Sequence, residues 1–263
     1  EIASCLVGSE MCIRDSSNIN TLHILKGNKT LKTYLEQQYL NENMMGPNAI
    51  TLLKELSCQI PLEPSMRVLD LGCGRGLTSA YLADTFGVQV FALDLWIPAT
   101  ENYLRFRELG LDSRIIPLHG DAGNMPFAEE YFDAVVSVDS YHYFGRDEKY
   151  MDSCLAPLVK HGGLIALALP GLKKELTDGL PPEMALSWTE EDIETIHSAG
   201  WWAELLSKSR EVELLSVREM DSFDECWADW LACDNPYAVG DRRAMEAGAG
   251  KYMNFISAVC RRK

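Results

Sequence analysis

Val68-Leu69-Asp70-Leu71-Gly72-Cys73-Gly74-Arg75-Gly76-Leu77 is the stretch on which the fold turns. A short apolar run stopped by glycines reads as a buried strand over 66–71, and residues 77–85 read as the helix that follows. A strand running into a glycine-rich turn that opens a helix is the arrangement by which open α/β sheets bind nucleotides. Gly72 and Gly74 let the backbone approach a ligand closely and take φ values that other residues resist. Asp94 ends the next strand, about 20 residues on, where a carboxylate accepts both hydroxyls of a ribose. A dinucleotide site wants G-x-G-x-x-G, with pyrophosphate on the helix start. Here the spacing is G-x-G-x-G, and Leu77 holds the position of the third dinucleotide glycine. Asp70 is an awkward neighbour for pyrophosphate and a good partner for an ammonium group, so a cationic, phosphate-free cofactor fits better.

Outward from this turn, strands are expected over 88–93, 114–119, 133–138 and 163–169, and helices over 99–109 and 148–160. Strands alternating with helices at this spacing imply a parallel sheet covered on both faces. Upstream, residues 31–40 (LKTYLEQQYL) have helical spacing, and Pro47 suits the start of a helix over 49–59. Downstream, 171–182 reads as a turn-rich connection, long enough for a lid. Helices follow at 189–200 and 222–233, with a strand near 212–218 between them and a final strand over 252–260. The fold class is therefore α/β, and no boundary divides the chain into independent domains.

The 263 residues carry 24 Lys plus Arg against 39 Asp plus Glu, a net charge of −15. Residues 175–234 hold 16 acidic and 3 basic side chains, most of that excess. Such a balance disfavours nucleic acid or an anionic membrane as the main partner. No apolar run approaches the ~20 residues of a spanning helix. The leading stretch EIASCLVGSEMCIRDS lacks the basic start of a signal peptide and resembles a translated sequencing adapter, so residues 1–17 are expected to be a non-native or disordered leader. Cys5 and Cys12 fall within it. Cys58, Cys73, Cys154, Cys226, Cys233 and Cys260 form no C-x-x-C pair and read as reduced thiols in a cytoplasmic protein. His23, His119, His161 and His197 have no metal-ligand spacing, so no metal is expected.

VLDLGCGRG resembles motif I of the class I S-adenosylmethionine-dependent methyltransferases. The resemblance continues through FALDL (91–95), GDAGNMPF (120–127), YFDAVVSVDSYHYF (131–144) and LVKHGGLIALALPG (158–171). Five blocks in order are far more specific than one glycine motif. It implies a Rossmann-like, mostly parallel seven-stranded sheet with helices on both faces. It also implies a helical extension over 18–65, a methyltransferase domain over 66–263 and a substrate-side insert at about 171–235. By the same resemblance, Asp70, Gly72 and Gly74 line the methionine part of S-adenosyl-L-methionine. Asp94 holds the ribose, Leu95 packs on adenine, Asp121 accepts from the adenine amine with Ala122 offering its backbone, and Asp139 faces the donor near the sulfonium. Taken singly, Asp94 or Asp121 is equally a turn residue or helix cap.

A sulfonium is already an activated methyl source, so the protein must chiefly align the acceptor and exclude water. A base is needed only where the acceptor must lose a proton. His142 is the candidate base, or else a loop-positioning histidine. Tyr141 and Tyr143 are either an aromatic wall around a cationic centre or core packing. Tyr34, Tyr39 and Met45 either cover the donor or pack a helix face, and Trp188, Trp201, Trp202, Trp227 and Trp230 read as core or lid. The tail resembles the broader group of ubiquinone methylases and cyclopropane-fatty-acid-synthase-like enzymes. The expected function is direct in-line methyl transfer to a small molecule, leaving S-adenosyl-L-homocysteine. A nicotinamide-dependent oxidoreductase, a non-catalytic donor-binding regulatory module and a nucleic-acid methylase are the alternatives. Asp94→Ala is expected to abolish donor binding with the fold intact.

Overall fold

The computed structural model describes residues 33–263. The expectations for the leader, for Cys5, Cys12 and His23, and for the start of the first helix lie outside the described residues. Among the described residues, seven strands form the main path of one sheet: β1 (Arg67–Leu71), β2 (Gln89–Asp94), β3 (Ile115–His119), β4 (Phe132–Val138), β5 (Val159–Leu172), β6 (Val212–Glu219) and β7 (Met253–Arg262). Their order is β3-β2-β1-β4-β5-β7-β6. The first five strands pair in parallel, and β7 inserts antiparallel between β5 and β6. This is the Rossmann-like, mostly parallel sheet expected from the sequence.

The buried strand residues divide by parity, as a pleated strand requires. Val68, Val90, Ala92, Ala134 and Val136 face one core, shared with helices α2 (Ala49–Ser57), α3 (Leu77–Phe86) and α4 (Ala99–Glu108). Leu69, Phe91, Leu93, Val135 and Ile165 face the other, which Trp202 and Leu206 close. Ahead of α2 runs α1 (Gln37–Asn43), and Asn48 caps α2 by accepting from the Ile50 and Thr51 N–H groups. Asn48 thus starts the helix that Pro47 announced.

Two expected elements differ, and one unexpected helix is added. The helix over 148–160 reduces to a π-turn (Met151–Leu155) and a 3-10 turn (Ala156–Leu158), because β5 already begins at Val159. Pro157 cannot sit inside an α-helix without losing a backbone donor and clashing with the preceding turn. The helix over 189–200 is broken into α5 (Glu190–Ile193) and α6 (Ala199–Ser207). Between them, His197–Ser198 forms a two-residue strand beside Gly171 and Leu172. The Glu175 carboxylate holds this break open, accepting from Ser198 N at 2.7 Å and Ser198 Oγ at 2.6 Å. His197 is therefore not helical; its ring stacks on Trp201 at 3.7 Å. After α7 (Phe223–Ala232) comes a helix that was not expected, α8 (Pro236–Glu246). Its signal was readable: Asn235 caps it and Pro236 takes the first turn.

Candidate active site

The carboxyl ends of β1, β2 and β4 open into a cleft of about 320 Å³, roofed by residues 43–47. That volume falls in the ~300–1,000 Å³ range of small-molecule sites. The glycine turn is held from several sides. Gly72 N and Cys73 N both donate to Leu93 O, at 2.8 and 3.1 Å. Gly74 N donates to Asp94 Oδ2 at 2.8 Å, and Asn102 Nδ2 donates to Gly74 O at 2.9 Å. Gly72 has φ +75°, and a Cβ there would lie 2.2 Å from Ser140 Oγ. Ser140 and Ser137 hydroxyls each sit 2.8 Å from Leu71 O, tying the end of β1 to the end of β4. Gly76 has φ +82°, and a Cβ there would meet the Phe106 ring at 2.4 Å. The last glycine of the motif thus serves the packing of α4 on α3.

Asp94 is 6% exposed, and besides Gly74 N it accepts from Trp96 N at 2.8 Å and Ile97 N at 2.9 Å. It braces the glycine loop and its own turn while lining the cleft. Removing the carboxylate would orphan three N–H groups, so Asp94→Ala is a structural lesion as well as a ligand lesion. A loss of stability is therefore expected alongside the loss of donor binding. Gly72, Gly74, Leu95, Asp121, Ala122 and Asp139 also line the cleft. Asp121 Oδ1 accepts from Gly123 N at 2.7 Å, a local turn bond. His119 Nε2 meets Leu95 O at 2.8 Å, fixing the loop that carries Leu95.

Asp70 does not reach the cleft wall. It is 1% exposed and turned under the helix start, where Thr78 Oγ1 and Ser79 Oγ donate to its Oδ2 at 2.6 and 2.5 Å. Burial pushes its carboxyl up to about 6. Asp139 differs in setting. It sits at φ +55°, a left-handed conformation uncommon outside glycine. Its part-buried carboxylate faces the cleft, and desolvation, reinforced by Asp241, pushes it up to about 7.

The turn Tyr141–Tyr143 is a 3-10 helix, whose three residues per turn send three side chains in different directions. Only Tyr143 lines the cleft. Tyr141 is fully buried among Phe144, Tyr150 and Trp202. His142 is 3% exposed, and burial, with help from Arg146, pushes it down to about 3. An imidazole that weak is poorly matched to taking a proton near neutral pH. Tyr141 and His142 therefore stand behind the site rather than in it, a correction to the sequence reading.

The roof explains the upstream segment. Met45 lines the cleft with its sulfur 3.1 Å from where a Gly74 Cβ would be, whereas Tyr34 is buried and donates to Asp84 at 2.7 Å. Sequence reasoning missed Gly46, Arg75, Trp96 and Ser140, all of which line the cleft. Trp96 carried a usable signal, a large apolar residue exposed just after a strand-ending Asp-Leu pair. It packs edge-on to Tyr143 at 5.6 Å. Trp202 and Trp230 are buried in the core. Among the described residues, no three His, Cys, Asp or Glu side chains converge as a metal site, and the six cysteines are free.

Residues 68–163 match the family described as methyltransferase domain. The glycine/sarcosine/dimethylglycine N-methyltransferase of Actinopolyspora halophila is 31% identical over 117 residues, 43% of this chain and 20% of that protein. The fatty-acid O-methyltransferase of Mycolicibacterium smegmatis is 34% identical over 118 residues, 44% of this chain and 40% of that protein. The chain thus spans less than half the length of these curated relatives. Its fold is shared with Haemonchus contortus phosphoethanolamine N-methyltransferase 2, solved in complex with S-adenosyl-L-methionine. The TM-score is 0.66 at 20% identity, covering 91% of this chain and 61% of that one.

Proposed function

We propose that residues 68–163, which match the methyltransferase domain family, form a class I S-adenosylmethionine-dependent methyltransferase core and that the chain methylates a small molecule by direct in-line transfer. The observation that carries this is the convergence of Gly72, Gly74, Asp94, Asp121 and Asp139, from four separate sequence blocks, on one cleft. The residues present fit a cationic donor. Asp94 and Asp121 line the cleft against one arginine, and Arg75 already spends its guanidinium on Glu42 O at 2.6 Å. When bound, S-adenosylmethionine supplies an electrophilic methyl on a good leaving group. Asp94 would take the ribose hydroxyls, Leu95 would pack on adenine, and Asp121 would take the adenine amine with Ala122 offering its backbone. The roof at Met44, Met45 and Gly46 would exclude water from the transfer.

In this proposal residues 66–263 are the catalytic domain, with about 171–235 as its substrate-side insert, preceded by the extension over 18–65. We place it in the cytoplasm, which the free cysteines support. A small-molecule acceptor rather than nucleic acid follows from the charge of −15. Among the described residues, no helix is long and apolar enough to cross a membrane.

The test begins with S-adenosylhomocysteine, which should raise the melting temperature of the wild type, as any ligand specific for the native state does. NADH should not. Asp94→Asn keeps one acceptor oxygen for Trp96 N and Ile97 N while turning its amide toward Gly74 N; it should weaken S-adenosylhomocysteine at least tenfold, about 1.4 kcal/mol, in calorimetry, with its unliganded melting temperature reporting the lost loop bond. Unchanged affinity would remove the ribose assignment. Tight donor binding without methyl transfer to any member of a broad acceptor panel would favour the regulatory module.

A further inference from the structure

We propose that Asp139, walled by Trp96 and Tyr143, anchors the ammonium group of an amine acceptor and takes its proton, so that the methyl group is transferred to nitrogen. This rests on the methyl-transfer proposal above. Three independent features of the cleft point to a cation there. Among the described residues no Lys, Arg or His lies within ion-pair distance of Asp139 or Asp241. Asp241 is held by the indole N–H of Trp230 at 2.9 Å and by that of Trp188, but Asp139 has no side-chain partner. Two interacting carboxylates without a counter-charge beside a cavity are a standing electrostatic cost that a bound cation removes.

The second feature is aromatic. Trp96 is 63% and Tyr143 53% exposed, both line the cleft, and the Tyr143 phenol lies within the field of Asp139. Aromatic faces beside a carboxylate favour an ammonium over a neutral hydroxyl. Third, the backbone is shaped around this carboxylate. Asp139 is held at φ +55°, and a Cβ on Gly46 would lie 2.5 Å from its Oδ2. Glycine at 46 leaves the space that the carboxylate fills. Strained positions of this kind collect at functional sites.

Asp241 lies on α8 and Tyr143 follows β4, so this end of the cleft joins the end of β4 to the tail of the chain. The step balances as follows. An acceptor arriving as R-NH3+ gives one proton to the Asp139 carboxylate and becomes R-NH2. The nitrogen lone pair forms the N–C bond as the C–S bond breaks, its electron pair staying on sulfur. The products are R-NH2-CH3+, S-adenosylhomocysteine and a proton released from Asp139 to solvent. The charged and titratable groups facing Asp139 are Asp241 from α8, Cys226 from α7 and Tyr143 from its own segment. None is cationic. A carboxyl lifted to about 7 is a far better proton acceptor for an ammonium than an ordinary one.

The experiment uses the full chain saturated with S-adenosylhomocysteine and titrates sarcosine and ethanolamine as amine probes, with palmitic acid and catechol as oxygen probes. At least one amine should bind the wild type, and Asp139→Asn should weaken it tenfold or more. The affinity of Asp139→Asn for S-adenosylhomocysteine should stay within threefold, which also reports an intact fold. Trp96→Ala should weaken the amine and Trp96→Phe should restore it. With S-adenosylmethionine, N-methylation by the wild type should rise with pH through about 7 and lose that dependence in Asp139→Asn. Absence of S-adenosylhomocysteine binding would sink the underlying methyl-transfer proposal instead. If S-adenosylhomocysteine binds but no amine does, or an oxygen probe alone is methylated, the amine site is overturned. An equal loss of donor affinity in Asp139→Asn overturns it as well, because the carboxylate then serves the donor.

Discussion

Asp70 and Asp139 are both carboxylates at strand ends, yet their settings give them different work. Asp70 is sealed beneath α3 and held by two hydroxyls; Asp139 meets the cleft. The raised carboxyl of Asp70 has a defined consequence for stability. Because it lies near 6 in the fold against an ordinary 3.8, the native state prefers the protonated form. The stability it contributes is therefore fully present below about 3.8 and is lost as pH rises through about 6, a change of about 3 kcal/mol at ~1.36 kcal/mol per unit. Asp70→Asn cannot ionise, and its amide oxygen can still accept from Thr78 and Ser79. Urea unfolding at about pH 3 and about pH 8 should find the wild type losing about 3 kcal/mol relative to the variant between the two. An identical pH dependence in both proteins would show that Asp70 does not titrate in this window. The residue types of the site were legible in the sequence because Gly72, Gly74, Asp94 and Asp121 stand at fixed places in ordered blocks. Their orientation was not. Whether Asp70 points under the helix or into the cleft, and which of Tyr141, His142 and Tyr143 faces outward, is set by tertiary packing that spacing does not encode.

The elements most readable from sequence were those whose hydrophobic run and punctuation agree, β1 through β4 with their glycine and aspartate stops. Those misread lacked that agreement. Over 148–160, helix formers surround Pro157, and the sheet captures the chain at Val159. Over 189–200, a carboxylate distant in sequence, Glu175, supplies the bonds that break the helix. A single glycine also links elements. Gly76 pays twice if it is replaced, once for its φ of +82° and once for the Phe106 ring 2.4 Å from the new methyl group. Gly110 shares the positive φ, at +71°, with nothing within 4 Å. Gly110→Ala should cost about 1 kcal/mol, the backbone penalty alone. Gly76→Ala should cost about 2–4 kcal/mol, because overpacking adds ~1–3. Denaturant midpoints of the two variants separate conformation from packing. Equal losses would mean that Phe106 swings aside freely and that the motif's last glycine is there for its backbone only.

At the scale of the whole molecule, the cleft is closed by residues that the chain joins only through long detours. Arg75, in the glycine loop, holds Glu42 O of α1 at 2.6 Å. Asn48 Nδ2 donates to Asp229 of α7 at 2.6 Å, and Asn48 N donates to Cys226 O at 3.1 Å. Glu55 accepts from Ser222 Oγ at 2.7 Å and Ser222 N at 2.9 Å, at the start of α7. The roof at 43–47 is thus strung between the sheet on one side and the acidic tail on the other, so a ligand that orders the glycine loop also bears on α7. S-adenosylhomocysteine should slow hydrogen exchange over 72–76 and 94–97, and also over 43–49 and 223–229. Asn48→Ala removes both the cap of α2, worth ~1 kcal/mol, and the bond to Asp229. In that variant, protection at 72–76 should persist while that at 223–229 falls toward the unliganded level. Protection confined to the glycine loop in the wild type would mean that roof and tail move independently of the cofactor. The acidic insert would then have to meet its acceptor without any signal that the donor is in place.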